Sequence, residues 1–182
     1  MNDAHNTSGQ AYGLTVLTPI RDGHETQLAR DLDLLQGGDD SPLARVPGTH
    51  FARWVVIGDV VYEGPRQRRD RLSLGRLLFT SNFDGPIAPY LEALRTGLGE
   101  AADAIWDHCE GYPGRDDPAA FAAYLRRHQV ENALFFAAYG DRTVEQVKRS
   151  LGVRRDVIDF ALAAQGMGAE ALQAAFRERF GQ

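Results

Sequence analysis

The order of periodicities along this 182-residue chain is strand–helix–strand–strand–helix–strand with further helices behind. It predicts an α+β fold of the ferredoxin-like, split-βαβ kind. Such a fold carries helices on one face of an antiparallel sheet, so the other face needs a cover. The candidate strands are apolar on both faces, which says that a cover exists. The expected one is a second copy, packed sheet against sheet about a two-fold axis to close a barrel. Composition agrees with one globular domain, 43% apolar and 25% charged. A chain of this length buries about 70% of its unfolded surface and needs neither a disulfide nor a structural metal. The single cysteine, Cys109, excludes a disulfide scaffold and a Cys-rich metal cluster within one chain.

Residues 1–10, polar and rich in Asn, Ser and Gly, read as a flexible terminus ahead of a domain spanning 11–140. Residues 12–20 are β-rich and end on the turn Arg21-Asp22-Gly23. Leu28, Leu32 and Leu35 recur at helical spacing until Gly37 and Gly38 stop them, and residues 39–48, with two prolines, read as a loop. Residues 50–57 form the second strand, with Phe51, Val55 and Ile57 on one face and Trp54 and Val56 on the other. The following connection carries five arginines between Arg66 and Arg76, a solvated charged loop or a lid over an anionic ligand or partner. The third strand is 77–83, where Leu77, Phe79 and Phe83 oppose Leu78, and Asp84-Gly85-Pro86 turns the chain. Ile87, Leu91, Leu94 and Leu98 mark a helix that continues past Gly97 and Gly99 to Trp106. Residues 108–114 break the pattern, and Phe121, Tyr124, Leu125 and His128 restore it for a short helix. Residues 133–139 read as the fourth strand. Behind them, 141–182 form a helical extension of the same domain. Thr143 caps a helix with Val144, Val147 and Leu151; Val157, Phe160 and Ala161 mark a second; Leu172, Phe176 and Phe180 mark a third.

A formal charge of −5 argues against a nucleic-acid partner, which calls for a basic face. No apolar run approaches the roughly 20 residues of a membrane helix. The first residues lack a basic start and an apolar core, so no signal peptide is read and a cytoplasmic location is expected.

Four segments carry a family resemblance. His50-Phe51-Ala52-Arg53-Trp54-Val55-Val56 and Leu77-Leu78-Phe79-Thr80-Ser81-Asn82-Phe83-Asp84-Gly85 come first. Trp106-Asp107-His108-Cys109-Glu110-Gly111-Tyr112-Pro113-Gly114 and Gly140-Asp141-Arg142-Thr143-Val144 follow. Together, over roughly residues 11–160, they resemble a bacterial family of the dimeric α+β barrel superfamily, related to dye-decolourising peroxidases. The wider superfamily includes haem peroxidases, haem-degrading monooxygenases, cofactor-free oxygenases and polyketide cyclases. The resemblance implies an oxidoreductase-like enzyme acting on a small organic substrate in an apolar barrel pocket, with haem the cofactor such kinship would bring. It also implies a distal acid at Asp84, within the peroxidases' Gly-x-x-Asp-Gly motif. This chain has Ser81 at the first glycine, and one ferredoxin-like unit where those peroxidases have two.

The residues that could carry chemistry can be read one by one. His50 opens a strand at the barrel mouth, as a base or haem ligand or as a strand-end group tied to a loop. Arg53 lies mid-strand on the face turned into the barrel, where a guanidinium needs a partner. That partner is an acid such as Asp84, or an anionic or carbonyl group of a ligand. Asp84 is either that acid or the cap of the helix that follows it. His108 beside Glu110 reads as a general base with its carboxylate, or as a loop pair held by hydrogen bonds. Their spacing matches no metal site, and none is expected. Cys109 reads as a small buried apolar residue rather than a nucleophile. Trp54, Phe79, Asn82, Glu110 and Tyr112 complete the candidate substrate-binding set. Two other readings stay open, a cofactor-free isomerase or cyclase and a non-catalytic ligand-binding or accessory module.

Overall fold

The computed structural model describes residues 3–59, 64–65 and 72–181. The expected loop or lid at Arg66, Arg68, Arg69 and Arg71 lies outside them, while Arg76 opens a strand. The chain divides into two compact units, Met1–Val144 and Glu145–Gln182.

In the first unit a four-stranded antiparallel sheet forms from β1 (Thr7–Ser8), β2 (Ala11–Pro19), β3 (Thr49–Ile57) and β4 (Arg76–Asp84), in the order β1-β2-β4-β3. β2 and β4 run in register along their whole length, from Ala11 opposite Asp84 to Pro19 opposite Arg76. Alternation decides which side is core. Tyr12, Leu14 and Val16 of β2 and Leu77, Phe79 and Phe83 of β4 are buried, and Trp54 and Val56 of β3 pack on them.

The helices bury their apolar stripes against this same face. α1 (Glu25–Asp33) contributes Leu28, and α2 (Ile87–Leu98) contributes Ile87, Leu91, Leu94 and Leu98. α3 (Glu100–Trp106) adds Ala102, Ile105 and Trp106, and α4 (Pro118–Arg127) adds Phe121 and Leu125. Asp117 caps α4 by accepting from the N–H groups of Ala119 and Ala120 at 2.9 and 3.0 Å, with Pro118 in the first turn. Trp106 sits at the centre, edge-on to Phe79 and Phe121. The α+β architecture expected from the periodicities is present, with an antiparallel sheet and six helices among the described residues.

Four local expectations need correction. Residues 133–139 are not a strand. The chain meets the outer edge of β2 only at a bridge between Gln129 and Val16, flanked by Leu17 N–H to His128 O at 3.0 Å and Val130 N–H to Thr15 O at 2.8 Å. Beyond it Asn132 donates its side-chain amide to Gly13 O at 2.8 Å, and β1 already pairs with Ala11 and Tyr12. The edge is taken, so the apolar run passes over it with Leu134, Phe136 and Tyr139 exposed. Secondly, the segment read as a terminus carries regular structure, a 3-10 turn (Asp3–Asn6) that buries Asn6 fully. Thirdly, Asp84 does not cap α2. Its Oδ2 instead accepts the N–H of Val144 at 2.7 Å. Finally, the first two C-terminal helices are one, running straight through Gly152.

The second unit is a helical pair, α5 (Val144–Ala163, counted from its first turn) and α6 (Ala169–Phe180). Phe160, Phe176 and Phe180 hold it together, with ring centroids 5.1 to 5.8 Å apart. Among the described residues no helix is long and apolar enough to cross a membrane.

Candidate functional site

The face of the sheet opposite the helices collects the side chains that the core excludes. From β4 come Thr80, Asn82 and Asp84, from β2 Thr15, and from β3 Phe51, Arg53 and Val55. A bulge in β3 adds one more. Thr49 pairs with Phe83 and Phe51 with Asn82, so His50 is an extra residue opposite one step of β4. A bulge of this kind re-aims a side chain. Here it brings His50 to the same side as Phe51 and sets its Nε2 2.8 Å from Asp84 Oδ1.

Residues 132–139 arch over this face and leave a cleft beneath. One lobe, about 480 Å³, is lined by Thr15, Arg53, Thr80, Asn82, Asn132 and Phe135. An adjoining lobe of about 380 Å³ shares Phe51, Asn82 and Phe135 and adds His50, Phe136 and Tyr139. Gly13 makes the close approach possible, since a Cβ there would stand 2.7 Å from the Phe135 ring. Arg53 donates through Nε to Thr80 Oγ1 at 3.2 Å, not to Asp84. The Asp84 carboxylate is committed at both oxygens, to His50 and to the Val144 N–H. A carboxylate holding Nε2–H fixes the imidazole tautomer and turns the lone pair on Nδ1 outward. The cleft thus offers a base, a cation, two amides and aromatic walls.

His50, Arg53, Asn82 and Asp84 therefore stand on one face of the sheet. The remaining candidates lie elsewhere. Trp54 and Phe79 face the helices, centroids 5.2 Å apart, and build the core rather than the cleft. His108, in the turn after α3, has Nε2 2.8 Å from Asp31 Oδ2 on α1. It is not paired with Glu110, which is exposed and binds through its backbone, its N–H to Pro19 O at 2.8 Å and its O from Tyr124 at 3.2 Å. Tyr112 donates to Asp103 Oδ1 at 2.9 Å; burial first, and then this carboxylate, push its phenol up. Cys109 is buried, its Sγ accepting from Thr18 at 3.3 Å, and burial pushes the thiol up to about 11, so it remains an unreactive thiol.

Comparison with protein-family models, curated proteins and solved structures finds no match to this chain. Its chemistry is read from the cleft itself. Thr80 and Asn132 belong to the cleft and were not foreseen, because a lone Thr or Asn carries no spacing signal. Haem does not fit this lining. His50, the histidine among the lining residues, has its Nε2 on Asp84, leaving only Nδ1 for iron. The lobe that holds it encloses about 380 Å³, too little for a porphyrin.

Proposed function

We propose that the chain is a small-molecule enzyme of the dimeric α+β barrel kind, in which His50 takes a proton from an enolisable carbonyl compound bound in the open-face cleft. The observation that carries this reading is the His50–Asp84 pair at 2.8 Å beside a cleft that also holds Arg53. Asp84 orients the imidazole, Nδ1 receives the proton, and the Arg53 guanidinium lies where it can stabilise the enolate oxygen. Asn82 and Asn132 fix the substrate's polar edge, and Phe51 and Phe135 hold an aromatic frame. Returning the proton at another carbon gives isomerisation or cyclisation. With dioxygen as co-substrate, the same carbanion gives the oxidative outcome that the family resemblance implies.

Ferredoxin-like connectivity supports the reading: β4 lies between β2 and β3, and the Gln129 bridge sits where the last strand of such a fold would run. The exposed Phe51, Phe136 and Tyr139 favour a second copy as the cover, closing the cleft from water. One free buried thiol suits the reducing cytoplasm. A second reading, a non-catalytic ligand-binding module, is favoured by the commitment of both Asp84 oxygens to holding the fold.

The test is deuterium exchange, by NMR in D2O, of the acidic C–H of a panel of aromatic 1,3-dicarbonyls. The wild type is expected to exchange one of them above the buffer rate. His50→Ala should lose at least about 100-fold of that rate, and Arg53→Gln should slow it at unchanged fold. Exchange that is indifferent to His50→Ala would remove the base; binding without exchange would establish the second reading.

A further inference from the structure

No residue of α5 or α6 is buried. The unit they form, Glu145–Gln182, is shorter than the roughly 40 residues below which a fold usually needs a disulfide, a metal or an oligomeric partner. α6 meets α5 at Phe160, whose ring touches those of Phe176 and Phe180. At 3.6 residues per turn, Val147, Leu151, Ile158 and Leu162 fall together on the side of α5 away from Phe160. They are 39, 52, 44 and 63% exposed, an apolar stripe that α6 does not cover. We propose that this stripe is an interface between two copies of the chain. α5 packs antiparallel on α5 of a second copy, and the two helical pairs make a four-helix bundle.

The spacing of the stripe says which partner fits it. Its steps are four, seven and four residues, so the pattern reads the same in both directions about a centre between Arg154 and Arg155. Turned end for end, a second α5 sets its Leu162 against Val147 and its Ile158 against Leu151. Each apolar side chain of the stripe then meets another. Steps of this kind follow a helical seam, where side chains of one helix enter the holes of the next. A foreign helix would have to supply the same order of apolar positions, whereas a second copy carries it already.

Charge decides the direction. Along α5, Lys148, Arg149, Arg154 and Arg155 all precede Asp156 and Asp159. Lys148 and Asp159 border the stripe on the same flank, and the end-for-end arrangement stands each beside the other's counterpart in the second copy. A parallel pair would oppose Lys148 to Lys148 and Asp159 to Asp159, and like charges across a seam destabilise it. Asp156 lies on the opposite side, with Arg179 of α6 at 3.4 Å, and leaves the stripe clear. Arg154 interrupts the stripe at its middle, where the two-fold axis brings it near its own copy. A polar residue at one seam position costs stability and fixes the register, and the long stem carries the guanidinium past the apolar contacts into water. The surface lies in the second unit alone and rests on nothing in the proposed reaction.

Disulfide trapping in the whole chain tests the pairing. Leu151→Cys and Ile158→Cys are made in separate chains, mixed and oxidised. Opposed positions come within reach of a disulfide, while like positions stand about 10 Å apart along the axis, too far to bridge. The mixture should therefore yield a covalent dimer. Each variant alone should yield none beyond the wild type, whose one thiol, Cys109, is buried. No trapping in the mixture, or equal trapping in the separate variants, overturns the proposal. Sedimentation velocity reads the same surface without a cross-link. Leu151→Asp/Ile158→Asp should halve the assembled mass relative to the wild type, whatever other contacts the wild type makes. An unchanged mass means that the stripe is covered within the chain or by a foreign partner, and that too overturns the proposal.

Discussion

At Asp84 one carboxylate serves two masters, His50 at 2.8 Å through Oδ1 and the Val144 N–H at 2.7 Å through Oδ2. The side chain is only 16% exposed, so removing it strands two partners in a largely dry place. A stranded donor costs about 1–3 kcal/mol. Asp84→Ala is accordingly expected to lower the unfolding free energy by that order in urea titrations, while Asp84→Asn, which keeps one acceptor oxygen, should lose less. Wild-type stability in Asp84→Ala would show that neither contact contributes. His50, Arg53 and Asp84 were legible as candidates because charged or imidazole side chains in an apolar strand ask for a reason. Their pairing was not legible. Arg53 called for an acid such as Asp84 or for a ligand group, but an inserted residue in β3 turns His50 to that acid, while Arg53 stands opposite Thr80. His108 Nδ1 also meets His24 Nδ1 at 3.1 Å across 84 positions, and no local spacing announces it.

Among the elements, three strands and the helices of the first unit follow from periods of two and 3.6, because each buries one stripe in a single core. Residues 133–139 show where that inference fails. An apolar run resembles a strand whether or not it has an edge to pair with, and β1 had already taken part of that edge. What holds the run instead is a crossing of two backbones. Gln10 N–H donates to Gly140 O at 2.6 Å, and a Cβ on Gly140 would stand 2.4 Å from Ser8 O. Backbone cannot step aside as a side-chain tip can. Gly140→Ala should therefore cost about 1–3 kcal/mol, the usual range for overpacking, and should loosen the 132–139 arch. Thermal melting and amide exchange at Gln10 would register it; a variant as stable as the wild type, with Gln10 still protected, would refute the crossing. The merging of two expected helices into α5 has a simpler cause, since Gly152 in mid-helix weakens a helix without ending it.

The whole molecule carries a pH dependence that its formal charge does not reveal. Tyr12, Tyr90, Tyr112 and Tyr124 all have phenols held above their ordinary 10.0, with burial the first cause in each. A raised folded-state pKa means that the folded chain keeps protons which the unfolded chain releases. Their contribution is thus complete below about pH 10 and is lost as pH rises above it. The urea midpoint should be level up to about pH 8, begin to fall near pH 9 where an unfolded Cys109 thiol ionises, and fall further by pH 11, with a shallower fall in Tyr124→Phe; a midpoint constant to pH 11 would contradict this. The sheet has a consequence at the same scale. Among the described residues β3 ends the sheet, paired to β4 on one side only, and nine residues of extended backbone invite another chain to add itself. Proteins blunt such borders with bulges and with charges, and β3 has both, at His50 and at Arg53. Arg53→Leu would join Phe51 to Val55 and Ile57 in one unbroken greasy row, ready to stack copy upon copy into a fibre. An Arg53→Leu variant without the proposed activity could then be an aggregated one, whereas Arg53→Gln keeps the border polar and reports on the cleft alone.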